Sequence, residues 1–188
     1  TKEMFPFSFH EFVEFKKTEI NETSSIQYMT TGGFPEYVKT EIPQILMATF
    51  KDIIIRDIAI RYNINNINLL QQLAVWLATN IGKLFTGNSL RKTFNIGSSS
   101  SIMEYLSYFT DAYLFFYIPK FSYSHKVQLV NPKKIYCVDN GLVTVNSVSF
   151  SDDKGRLFEN MVFMCLRRRT DEIYYYADKG ECDFVVYH

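Results

Sequence analysis

The clearest pattern lies in the middle of the chain. Leu70, Leu73, Ala74, Leu77 and Ile81 recur at helical spacing and predict a helix over 67–81 with one buried stripe. Before it, Ile45, Leu46, Ile53, Ile54 and Ile58 predict helix between 42 and 62; the β-branched run Ile53-Ile54-Ile55 also suits a strand, but the length favours helix. Nearer the start, Ser8 followed by Glu11 is a capping-box pattern, and Phe12 and Phe15 give the helix behind it an apolar face. Residues 21–31 are polar and read as a loop, and Gly32-Gly33-Phe34-Pro35 reads as a tight turn.

Past residue 81 the pattern breaks into short pieces. Thr86-Gly87-Asn88-Ser89 opens a short helix in which Leu90 and Phe94 share a face. Asn95-Ile96-Gly97 interrupts it, Ser98 to Ser101 offer several caps, and Ile102, Leu106 and Phe109 mark the stripe of a further helix ending near Asp111. Residues 112–121, 126–130 and 135–138 are aromatic or β-rich and read as strands. Helix, helix, three-residue turn, helix and strands is the order of a winged helix-turn-helix. The outward residues of its last helix would come from Ser99, Ser100, Glu104, Ser107 and Tyr108, with no Arg or Lys to read a guanine edge. Such a module serves equally to hold nucleic acid or to dock a protein.

Beyond Asp139-Asn140-Gly141 a third pattern begins. Ser151-Asp152-Asp153 and Gly155 precede a helix with a stripe at Phe158, Val162, Cys165 and Leu166, closed by Arg167-Arg168-Arg169. The strand from Ile173, a turn at Asp178-Lys179-Gly180 and a second strand over 183–187 follow. Glu159 on the helix and Asp183 opening the second strand could meet; paired carboxylates can hold Mg²⁺ and activate water for phosphodiester hydrolysis. Placement on a solvated surface, or pairing of Glu159 with one of the Arg167–Arg169 group, is the structural alternative.

Composition and charge sharpen this division. In 188 residues, 47% hydrophobic and 21% charged content suits a globular chain rather than a disordered one, and no apolar run approaches the roughly 20 residues that span a bilayer. The first residues carry no signal-peptide pattern, and Cys137, Cys165 and Cys182 are odd in number and widely spaced, which suits reduced thiols in the cytoplasm and no zinc site. Net charge is zero, but residues 1–63 carry −2, 64–138 carry +5 and 139–188 carry −3. The positive segment excludes a uniformly neutral surface. Its Lys83, Arg91, Lys92, Lys120, Lys126, Lys133 and Lys134 could grip a phosphate backbone without reading sequence.

Several segments together resemble a known family: Phe7-Ser8-Phe9-x-Glu11-Phe12, Gly32-Gly33-Phe34-Pro35-Glu36, Asp52-Ile53-x-x-Arg56-Asp57, Leu90-x-Lys92-x-Phe94, residues 113–119, Lys134-Ile135-Tyr136-x-x-Asp139-x-Gly141-Leu142, Gly155-Arg156-Leu157-x-Glu159-Asn160 and Glu181-x-Asp183-Phe184. This set resembles the region that follows the AAA+ module in bacterial and archaeal ATP-binding proteins of unknown function. The resemblance implies a mixed α+β architecture: a helical region over 1–63 following the AAA+ core, a winged-helix domain over 64–138 and a truncated PD-(D/E)xK nuclease-like domain over 139–188. It implies ATP and Mg²⁺ for the parent protein and none for this fragment, since the chain holds no Gly-x-x-x-x-Gly-Lys-Ser/Thr phosphate cradle. Glu159 and Asp183 match the nuclease-like catalytic and metal positions, while the following acid-x-Lys element would fall past His188. The expected role is an accessory DNA-binding region of an AAA+ ATPase. The alternatives are a protein-interaction module with an inactive nuclease-like fold and a Mg²⁺-dependent nuclease.

Overall fold

A computed structural model describes residues 3–148 and 153–186. The Ser151-Asp152 pair, and Tyr187 of the expected last strand, lie outside the described residues.

The chain opens with α1 (Phe9–Lys16), capped as its sequence predicts: Glu11 N–H donates to Ser8 Oγ at 3.3 Å, and Ser8 N–H donates to Glu11 Oε2 at 2.7 Å. Phe12 and Val13 bury against Val38. The polar stretch read as a loop is instead a helix, α2 (Glu22–Thr31). Asn21 and Ser24 cap it reciprocally, and only Ser24 and Met29 are buried, so it has almost no apolar stripe for periodicity to detect. Two short helices, α3 (Pro35–Thr40) and α4 (Pro43–Asp52), each begin with proline, whose missing N–H costs nothing in a first turn. α4 runs directly into a π-helical segment, Ile53–Ile60, so the β-branched run stays helical.

Next come α5 (Ile67–Thr79), β1 (Leu84–Phe85), α6 (Gly87–Thr93), α7 (Ser99–Asp111), β2 (Phe115–Ile118), α8 (His125–Val130) and β3 (Lys133–Cys137). The break between α6 and α7 is made by Asn95, which takes the left-handed conformation at φ 52°, rather than by Gly97. Residues 126–130 are not the expected strand. They form α8, a single short helix with no buried residue, on which Leu129 and Val130 face solvent. The β-branched content of this stretch therefore does not mark a core-facing strand.

The three strands form an antiparallel sheet in the order β1-β3-β2, with Phe115 opposite Cys137 and Ile118 opposite Lys134. One face of the sheet lies on α5 and α7. Phe115 there meets Phe50 and Phe109 edge-on. The other face carries Phe116 and Tyr136 and packs on α10 (Lys154–Arg167), with Tyr136 stacked on Phe163 at 4.3 Å. Between β3 and α10 comes α9 (Asn140–Asn146); after α10 the hairpin β4 (Ile173–Ala177) and β5 (Glu181–Val186) forms a second sheet.

α10 buries Leu157, Asn160, Phe163 and Met164. The expected stripe is off by about one residue: Phe158 is 56% exposed and Cys165 is exposed. One continuous core draws buried residues from Met29 to Tyr175, and a separate small cluster holds Phe12 and Val13 of α1 against Val38. The architecture is mixed α/β, mostly helical with small antiparallel sheets. Among the described residues no helix is long and apolar enough to cross a membrane.

Candidate functional site

Adjacent residues of α10, Glu159 and Asn160, point into two different polar clusters. Asn160 is buried beside the end of β3. Its side chain accepts from Cys137 N–H at 2.8 Å and donates to Cys137 C=O at 3.0 Å, as a neighbouring strand would. It also donates to Asn140 Oδ1 at 2.8 Å, and Asn140 in turn donates to the carbonyls of Met29 and Leu157. Asp139, one residue earlier, accepts from Gly33 N–H at 2.6 Å and Gly141 N–H at 2.8 Å.

These bonds explain the glycines. Gly32 sits at φ 74°, and a Cβ there would lie 2.1 Å from Asp139 Oδ1. A Cβ on Gly33 would lie 2.1 Å from Phe7 C=O, and one on Gly141 2.2 Å from Thr31 C=O. The Gly32-Gly33 turn, the Asp139-Asn140-Gly141 turn and Asn160 are thus one buried junction that joins α2, β3, α9 and α10. Burial raises the Asp139 carboxyl to about 6, against the lowering effect of its backbone donors and the nearby Arg168. Burial likewise pushes the Cys137 thiol up to about 12, which keeps it from acting as a nucleophile.

Glu159 lies on the other cluster. Lys134 Nζ on β3 donates to Glu159 Oε1 at 3.0 Å and to Asp183 Oδ1 at 2.7 Å, and Tyr136 OH donates to the same Glu159 oxygen at 2.7 Å. The two acids singled out from sequence do come together, through a lysine that had been assigned to nucleic acid. The partner of Glu159 is Lys134, not a residue of the Arg167–Arg169 group. The site is graded in exposure: the Lys134 and Glu159 side chains are 14% and 18% exposed, Asp183 61%. Burial lowers the pKa of the Lys134 ammonium, but the hydrogen bonds it donates to Asp183 and Glu159, with their negative charge, overcome this and leave its pKa raised. Burial first, and Glu159 second, raise the Tyr136 phenol well beyond its ordinary range.

A Mg²⁺ ion does not fit this arrangement. The position between the two carboxylates is filled by an ammonium, Glu159 Oε1 already accepts two donors, and among the described residues no three His, Cys, Asp or Glu side chains cluster to hold a metal. The residues form a bridge between β3, α10 and β5 in which one ammonium is shared by two carboxylates.

The remaining cations spread over the middle region. Lys120 is engaged with Asp178 and Lys134 with the acid pair, so neither is free for phosphate. Lys83, Lys92 and Lys126 are exposed, and Arg91 and Lys133 are partly exposed. Arg91 and Lys92 sit in the last turn of α6, next to the turn that leads into α7. On α7, Ser100, Glu104 and Ser107 face out, while Tyr108 lies half-buried, stacked on Tyr62 at 3.8 Å and donating to Glu104 at 2.6 Å.

Sequence reasoning named Lys134 only as a phosphate contact, not as the partner of the two acids, and gave Asn140 and Asn160 no role of their own. The alternation Lys134, Tyr136 along β3 was the available signal, since it places both on the face that α10 covers.

Comparison with known proteins adds no activity. The chain is 32% identical to an uncharacterized protein of Methanocaldococcus jannaschii over 98% of this chain and 46% of that protein. It is 28% identical to an uncharacterized protein of Haemophilus influenzae over 96% of this chain and 47% of that one. The chain thus spans about half the length of the curated relatives it matches. No solved structure matches it. Residues 22–152, from α2 through both buried turns, match the family described as a domain of unknown function (DUF8612), and the chain belongs to that family.

Proposed function

We propose that this chain is an accessory region of an AAA+-type ATPase and holds a nucleic-acid backbone through a winged helix. The observation that supports the reading is the order α5-β1-α6-turn-α7-β2-α8-β3 with the sheet arranged β1-β3-β2, which is similar to a winged helix with α8 inserted between its last two strands. Among the described residues Lys83, Arg91, Lys92, Lys126 and Lys133 of this module make no ion pair, and Ser98, the N-cap of α7, with Ser99 and Ser100 adds hydroxyls at a helix N-terminus. Binding through these groups is sequence-independent, because α7 presents no Arg or Lys to a base edge. The relatives of twice the length leave room in those proteins for an ATPase core.

The nuclease-like region serves this reading as a scaffold. Lys134 stands between Glu159 and Asp183, and no step of phosphodiester hydrolysis is assigned to them.

Titration of a labelled 20-base-pair duplex against salt tests the proposal. Binding is expected at low salt, with log K falling linearly in log salt. Arg91→Glu/Lys92→Glu is expected to weaken it for every sequence and to reduce the slope by roughly 2. No binding at low salt, or an unchanged slope in the double variant, overturns it.

A further inference from the structure

A cleft of about 420 Å³ lies between α7, β2 and the start of β4, within the size range of ligand-binding clefts. Its apolar lining comes from Leu106 of α7, Phe116 and Ile118 of β2, Phe163 of α10 and Ile173 of β4. All of these belong to the continuous core, so the cleft opens onto side chains that packing already holds in place.

Hydrogen bonding leaves the cleft few donors. Ser107 and Thr110, the α7 hydroxyls on its wall, donate to the helix carbonyls of Glu104 at 2.8 Å and Leu106 at 3.2 Å. Their protons are spent, and only lone pairs remain to offer. Arg167 on the rim is committed: it pairs with Glu3 and Asp171, and its guanidinium lies 5.2 Å from the centre of the Phe116 ring. Asp111 ends α7 near the start of β2 and accepts from Tyr62 OH at 2.9 Å. Lys133 stands at the other end, one residue past the Ile118–Lys134 pair. It is partly buried, and among the described residues it makes no ion pair.

An unpaired ammonium beside apolar walls attracts a counter-charge strongly, because charge interactions strengthen where water is excluded. Asp111 disfavours an anion at the far end, which gives the cleft a direction. We propose that this cleft binds an amphipathic monoanion, an apolar body carrying one carboxylate, with the carboxylate on Lys133 and the body along Leu106, Phe116 and Phe163. Lys83, Arg91, Lys92 and Lys126 line no part of it, so this site stands or falls separately from nucleic-acid binding.

The probes are octanoate, octan-1-ol and octylamine, which share a chain and differ in head-group charge. Each is titrated into the 188-residue chain below its micelle concentration and followed by methyl NMR. Octanoate is expected to shift the Leu106, Ile118 and Ile173 methyls saturably. The methyls of Val75 and Val148, in a separate groove beside Trp76 and Phe94, are expected to stay in place. Octanoate is expected to bind about tenfold tighter than octanol, and octylamine more weakly than either. Lys133→Met should lower octanoate to the level of octanol and leave octanol unchanged, while Lys133→Arg keeps the preference for the acid. Arg91→Glu/Lys92→Glu should bind octanoate as the wild type does. Absence of saturable shifts, shifts confined to Val75 and Val148, equal affinity for the three head groups, or undiminished octanoate binding in Lys133→Met overturns the proposal.

Discussion

Asp139 is the residue on which the buried junction turns. Its carboxyl is fully enclosed, and burial holds it up to about 6, above the ordinary 3.8. The folded chain therefore binds this proton more tightly than the unfolded chain. The stability it contributes is complete below about 3.8 and is lost as pH rises through about 6. Asp139→Asn removes this titration. The stability difference, wild type minus variant, is expected to fall by about 2–3 kcal/mol between pH 4 and 7, measured by urea unfolding at each pH. A difference that stays flat would show that the backbone donors, not burial, govern the group. Lys134 behaves differently because it is a bridge. Lys134→Met leaves Glu159 largely enclosed with, among the described residues, only Tyr136 as donor, and is expected to cost about 1–3 kcal/mol of unfolding free energy. Glu159→Gln in the Lys134→Met background should recover part of that loss, since no unpaired charge remains inside.

At the scale of elements, α10 provides the sharpest test of packing. Its buried stripe is Leu157, Asn160, Phe163 and Met164, with Phe163 stacked on Tyr136 and near Phe116. Phe163→Ala is expected to cost about 3–5 kcal/mol, and Phe158→Ala, one turn away on the exposed face, less than about 0.5 kcal/mol, both read from chemical unfolding midpoints. The periodicity of α5 and α7 could be read from sequence because each buries a plain apolar stripe. α10 was misread because an asparagine fills one buried position, and a hydrophobic pattern passes over it. α2 was misread for a related reason: its capping pair is polar and its helix nearly stripe-free. The pairing of Glu159 with Asp183 was visible as a possibility. The identity of the third group was not, since Lys134 comes from a strand more than twenty residues away in sequence and its place depends on sheet register.

At the scale of the whole molecule, the charge segments of the sequence do not coincide with separate cores. Apart from a small cluster of Phe12, Val13 and Val38, the buried apolar residues form one core, in which the sheet β1-β3-β2 is covered on one face by α5 and α7 and on the other by α10. The polar junction at Asp139, Asn140 and Asn160 ties the same parts together through bonds that span up to 111 residues of sequence. A sheet covered from both sides by different parts of the chain cannot keep its core when one cover is removed. Residues 64–138 expressed alone would therefore expose Phe116, Tyr136 and Ile118 where α10 now lies, and are expected to show no cooperative unfolding transition. The full chain is expected to unfold in one step, with fluorescence of Trp76 on α5 and far-ultraviolet dichroism giving coincident urea curves. Two separated transitions in the full chain, or a cooperative transition in the excised segment, would mean that the middle region folds by itself and that the junction joins independent domains.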